Sequence, residues 1–217
     1  MGVDNALISI DAAEMPILDG SALFYAQAFA ADGLCLQGAP REYLRFSEAF
    51  EVRDEASGSF VRISPSDSFS IDLEVDFGSR VLGVQKVHWD ESMDYASQIA
   101  SCRTFCFFHE LEYLLSQGLV KGGDVDNAIV VVEHPVTPEQ VDRVAGIFNQ
   151  PRLEITPEGY LSNLQLRFSD ECGRHKLLDL IGDLRLCGGF MKAHVEAVKP
   201  GHSINTLAAR AARKNHI

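Results

Sequence analysis

A chain of 217 residues fits one large domain or two small ones, and 46% apolar with 23% charged residues describes a globular protein with a real core. The net charge of −12 argues against a nucleic-acid partner, because phosphate contacts need clustered Lys and Arg. No apolar run reaches membrane-span length and no basic-then-apolar leader opens the chain. A soluble, cytoplasmic protein is expected.

Taken in order, residues 6–10 (Ala-Leu-Ile-Ser-Ile) read as a short strand. Asp19 or Ser21 is placed to cap an apolar helix over about 22–31, closed by Asp32-Gly33. Gly38-Ala39-Pro40 reads as a linker. Phe69, Ile71, Leu73, Val75 and Phe77 then alternate with polar residues, the period of a half-buried strand. Segments near 44–52, 60–64 and 81–88 read as its neighbours in an antiparallel meander.

Residues 90–100 read as helical, and a helix over about 107–117 is closed by Gly118. After Gly122-Gly123 comes a strand over 127–132. Thr137-Pro138-Glu139 opens a helix to about Phe148, with Pro at the first helical position. Pro151, Pro157 and Gly159 mark loops, 165–168 reads as a strand, and 191–198 as another. A last helix runs from His202 to about Arg213. The five cysteines lack a CxxC pair, which suggests neither a disulfide framework nor a thiolate zinc knuckle.

The most informative stretch is 174–183, Arg-His-Lys-Leu-Leu-Asp-Leu-Ile-Gly-Asp, followed by the helix-stopping Gly188-Gly189. As a helix it puts His175, Asp179 and Asp183 (i, i+4, i+8) on one line, with Leu177, Leu178, Ile181 and Leu184 largely opposite. A neutral imidazole and a carboxylate one turn apart reach the same ion, and N plus O donors suit Zn²⁺. By spacing alone, such a pair is more often a hydrogen-bonded couple. Arg103, Arg174, Lys176 and Lys199 each lie close in sequence to a candidate site residue, as an anionic ligand would need; each reads equally as an ordinary surface charge.

Several motifs occur in one order. They are Pro-Ile-Leu-Asp-Gly-Ser at 16–21, Cys-Arg-Thr-Phe at 102–105, Leu-Glu-Tyr-Leu at 111–114 and Gly-Gly-Asp-Val-Asp-Asn-Ala-Ile-Val-Val at 122–131. The 174–183 stretch and Lys-Pro-Gly-His-Ser-Ile-Asn at 199–205 complete the series. Together they closely resemble the UDP-3-O-acyl-N-acetylglucosamine deacetylases, zinc amidohydrolases of lipid A biosynthesis, over essentially the whole chain.

The resemblance implies an α+β fold of two sheet-and-helix domains packed helix face to helix face. Residues 1–41 would be a remnant of the first domain plus linker. Residues 42–217 would be the second, with a strand-helix-strand insert at about 107–161 in its longer variant. It also implies His175 and Asp179 as zinc ligands, His202 as the catalytic general acid, Asp183 as the carboxylate that orients it, and Thr104 as an oxyanion donor. Phe77, Phe105, Lys176 and Lys199 would surround the UDP-linked acylated N-acetylglucosamine. Leu111, Leu115, Val120, Val125 and Ala128 would line the acyl-chain passage.

The family's third zinc ligand and general base, a Glu-His pair, would precede the first residue here. Glu133-His134 falls in the insert and does not take its place, and His88, His109, His194 and His216 have no site argument. The expectation is therefore a zinc deacetylase of reduced competence as this chain alone. The alternative is an inactive or split form that binds nucleotide-sugar and needs a separate chain for the missing groups.

Overall fold

The computed structural model describes residues 1–116, 127–147, 150 and 152–217, except for the side chains of Glu112, Leu114, Leu115 and Ser116. The expected closing Gly118, the Gly122-Gly123 loop, Val120, Val125, Phe148 and Pro151 lie outside the described residues, as does the Leu115 side chain. In chain order the elements are α1 (Leu23–Asp32), β1 (Tyr43–Leu44), β2 (Phe50–Asp54), β3 (Ser59–Pro65), β4 (Ser70–Asp76) and β5 (Val84–Asp90). Then follow α2 (Tyr95–Gln98), β6 (Thr104–Phe107), α3 (Phe108–Ser116), β7 (Ala128–Val131) and α4 (Pro138–Ile147). Helix α5 (Glu171–Leu184), a 3₁₀ turn at Arg185–Cys187, β8 (Phe190–Met191), β9 (Ala193–Val198) and α6 (His202–Asn215) complete the chain. The mixture of helices with parallel and antiparallel pairing is α+β, as the motifs imply.

The chain divides into two compact units: residues 1–34, 79–82 and 100–172 form one, and residues 35–78, 83–99 and 173–217 the other. The second holds a five-stranded sheet in the order β2-β3-β9-β4-β5. It is not the expected meander. Strand β9 lies between β3 and β4, antiparallel to the first and parallel to the second, because its Ala193, Val195 and Ala197 complete the apolar rows. One row runs Phe50, Ile63, Val195, Ile71, Trp89 and the next Val52, Val61, Ala197, Leu73, Val87.

These rows pack against Leu177, Leu180 and Leu184 of α5 and Ile204, Ala208, Ala209 and Ala212 of α6 in one core. The buried stripe on α5 is thus i, i+3, i+7; Leu178 and Ile181 are only partly buried. The opposite face of the sheet is in solvent and carries Arg62, Glu196, Asp72 and His88 in one register row. His88 Nδ1 lies 2.7 Å from Asp72 Oδ1, and His194 Nε2 lies 3.5 Å from Asp72 Oδ2.

In the first unit, β6 and β7 pair in parallel. Strand β7 and the residue after it are covered on both faces. Val130 and Val132 join Phe108, Leu111, Val141 and Leu161, whereas Ile129 and Val131 join Leu82, Phe107, Tyr160 and Cys172. Residues 6–10 form no strand, and Leu7 is 97% exposed: no neighbour among the described residues offers the ladder partners a lone strand needs. Residues 165–168 also form no strand. The helix expected over 90–100 is reduced to α2, capped by Asp94 through Ala96 N and Ser97 N, because β5 continues to Asp90. Helix α1 is capped by no side chain of its N-cap residue, Ala22; Ser21 Oγ instead accepts from Leu23 N at 3.2 Å.

Candidate functional site

In the second unit, α5 and the start of α6 bring four of the expected residues into two couples. The helical period places His175 and Asp179 one turn apart, and both are nearly buried, with side chains 10% and 11% exposed. His175 Nε2 stands 3.4 Å from Asp179 Oδ1. That is longer than an ordinary N–H···O bond. Two donors about 2.1 Å from one tetrahedral ion lie about 3.4 Å apart, so the pair is spaced as two ligands of a zinc-like cation. The other carboxylate oxygen, Asp179 Oδ2, takes Lys176 Nζ at 2.9 Å. Among the described residues no group of three His, Cys, Asp or Glu side chains is arranged to hold a metal. Complete coordination therefore needs donors beyond this pair.

One turn further, Asp183 Oδ2 lies 2.8 Å from His202 Nδ1. Gly201 is the N-cap of α6 and His202 its first residue, so the chain enters the helix with the ring exposed and its Nδ1 edge on Asp183. The same Asp183 oxygen accepts from Asn205 Nδ2 at 3.0 Å. Asn205, fully buried, is a site residue that the motifs named only as part of a run. Its spacing of three from His202 was the available signal.

Lys199 follows β9 and holds φ +50, a left-handed conformation that a non-glycine residue adopts only under constraint. Its N–H donates to Glu74 O at 2.8 Å and its Nζ lies 3.4 Å from Asp76 Oδ2. The Gly78 N–H, then Lys199, hold the Asp76 carboxyl below its ordinary value. Phe77, next to Asp76, is 42% exposed. The strand that alternates so clearly in sequence thus delivers Asp76 beside Lys199.

Thr104, Phe105, Leu111 and Ala128 belong to the first unit. Thr104 opens β6, is half-buried and donates its N–H to Gly20 O at 2.8 Å. A Cβ on Gly20, whose φ is +77, would stand 1.8 Å from Asn127 O, so only glycine lets the 16–21 segment approach here. Ala128 is the register partner of Thr104. Phe105 packs edge-on to Phe107, and Leu111 is buried beside Phe108 and Val130.

Two of the four cations expected to serve an anionic ligand are committed elsewhere. Arg103 is buried and bound to Glu171 rather than presented to a ligand. Its backbone N and Nε donate to Glu171 Oε1 at 3.0 and 2.9 Å, and its Nη2 donates to Oε2. Burial pushes the Glu171 carboxyl up, but these bonds and Arg167 N outweigh it and hold the group below its ordinary value. Arg174 Nη1 donates to Gln98 O at 3.1 Å.

A model of the LpxC family, UDP-3-O-acyl N-acetylglycosamine deacetylase, matches residues 1–148 and 144–213. The bifunctional enzyme LpxC/FabZ of Porphyromonas gingivalis is 41% identical over 214 residues, which cover 99% of this chain and 46% of that protein. Its counterpart in Bacteroides thetaiotaomicron is 39% identical with the same coverage. The UDP-3-O-acyl-N-acetylglucosamine deacetylase of Phenylobacterium zucineum is 37% identical over 214 residues, 97% of this chain and 64% of that protein. The chain thus spans about half the length of the bifunctional relatives and under two thirds of the deacetylase. The chain belongs to the UDP-3-O-acyl N-acetylglycosamine deacetylase family, a family of metalloenzymes.

Proposed function

We propose that this chain carries most of the active site of a zinc-dependent deacetylase that removes the N-acetyl group from a UDP-linked 3-O-acyl-N-acetylglucosamine in lipid A biosynthesis. The observation that supports this reading best is the donor pair: His175 Nε2 and Asp179 Oδ1 face one another at a ligand-to-ligand spacing on a nearly buried helix face. A zinc ion held there lowers the pKa of bound water and polarises a carbonyl.

The remaining work falls to the chain's own groups. Asp183 accepts from His202 Nδ1, which leaves Nε2 to deliver a proton to the glucosamine nitrogen as the amide C–N bond breaks and acetate departs. The Thr104 hydroxyl donates to the oxygen on which negative charge develops. Lys176, Lys199, Phe105 and the exposed face of Phe77 attract and orient the nucleotide-sugar. Leu111, Leu115, Val120, Val125 and Ala128 accommodate the acyl chain. A third donor and a general base would complete the site beyond this pair. Five cysteines without a disulfide suit a reducing compartment, which makes the cytoplasm the proposed location. No described helix is long and apolar enough to cross a membrane.

The test is zinc content of the purified chain with His175→Ala and Asp179→Ala beside it, and acetate release from the UDP-linked substrate. Zinc affinity is expected to fall at least ~10-fold in each variant, since even changes around a ligand reach that size. Zinc retained undiminished in both variants would overturn the assignment of the pair.

A further inference from the structure

Within the deacetylase reading, His202 and Asp183 have roles, and the buried amide that shares their carboxylate has none. Asn205 lies three residues after His202 on the same face of α6 and is fully buried. Its Nδ2 donates to Asp183 Oδ2 at 3.0 Å, the oxygen that also faces His202 Nδ1. An ionised carboxylate only accepts, so the amide must turn its NH₂ toward Asp183. Its carbonyl oxygen Oδ1 is then buried with no hydrogen-bond partner among the described residues.

A buried acceptor without a donor is destabilising, so the amide carries a cost that its bond to Asp183 has to offset. What the amide supplies in return is an anchor for that carboxylate. The His202 side chain is 69% exposed and cannot by itself hold a carboxylate in one rotamer. A buried amide can.

We propose that Asn205 is a positioning residue: it fixes the orientation of Asp183, which in turn holds His202 through Nδ1–H, so that the protonated ring presents Nε2–H to the substrate and the neutral ring keeps its remaining proton on Nδ1. The inference rests on the deacetylase reading of this site.

It is tested on the ¹⁵N-labelled chain, by the imidazole nitrogen shifts of His202 at alkaline pH, with Asn205→Leu, Asn205→Ala and Asp183→Ala. The unaltered chain should show the Nδ1–H tautomer. In the folded Asn205→Leu and Asn205→Ala chains the two nitrogen shifts should converge toward the averaged values seen in Asp183→Ala. An amide that serves only the fold predicts an unchanged tautomer. That result, or loss of folding in both Asn205 variants, would overturn the proposal. An unchanged tautomer in Asp183→Ala would instead sink the His–Asp couple itself, and with it the role given to His202.

Discussion

At the scale of single residues, the two positions under most constraint are Glu171 and Lys199. Glu171 is fully buried and accepts from Arg103 three times and from the Arg167 N–H. Glu171→Gln leaves the Arg103 guanidinium buried without its counter-charge, and breaking such a pair costs about 3–5 kcal/mol. Urea unfolding should read a loss of that size. The same pair sets an acid limit. Because the folded Glu171 carboxyl lies below its ordinary 4.5, its contribution is present above that pH and is lost as pH falls through the folded value. Lys199→Gly relieves a left-handed backbone worth about 1 kcal/mol and removes a cation. It should therefore raise the melting temperature while weakening binding of a UDP-sugar, measured by calorimetry. The line of His175, Asp179 and Asp183 was legible because one helix carries it. The commitment of Arg103 was not, since its partner lies 68 residues away and only the fold brings them together.

Among the elements, the helices were the most legible, because α4, α5 and α6 each carry a 3.6-residue apolar stripe with Pro or Gly at their ends. The alternation in β4 was equally plain, but alternation says which face a strand buries and not which strand lies beside it. The placement of β9 between β3 and β4 was hidden for that reason. Helix α6 sits close to the sheet through Ala208, Ala209 and Ala212, all essentially without exposed surface. Ala208→Leu forces extra volume into that contact and should cost about 1–3 kcal/mol, read as a lower melting temperature. The 6–10 segment misled because an apolar run suggests a strand whether or not a neighbour exists to pair with it.

For the molecule as a whole, the solvent face of the five-stranded sheet gives a measurable pH dependence. The hydrogen bond His88 donates to Asp72, against some burial and with help from Asp90, raises the His88 pKa above its ordinary 6.5. A raised histidine contributes stability that is full below about pH 6.5 and disappears as pH rises through the folded value. His194, which also faces Asp72, shares that carboxylate. Asp72→Asn should bring the NMR titration of His88 back toward 6.5 and flatten the stability difference between acid and neutral pH. A second whole-molecule property is the apolar surface of residues 1–34, where Leu7, Ile8, Met15, Ile17 and Phe24 are exposed. Apolar surface on this scale promotes association. Leu7→Ser with Phe24→Ser should shift the sedimentation profile toward monomer.

The position of β9 also governs when the second unit can come into being. On the ribosome, β2 and β3 can pair as soon as they emerge, and so can β4 and β5. Neither hairpin has its inner neighbour until residues 193–198 appear, since Phe60 pairs with Val198 and Ile71 with Val195. Two half-sheets with open inner edges must wait through the synthesis of everything between, edges of the kind that invite mispairing. Refolding should accordingly be slow for a chain of this length, and a peptide carrying 193–198 should compete for the gap.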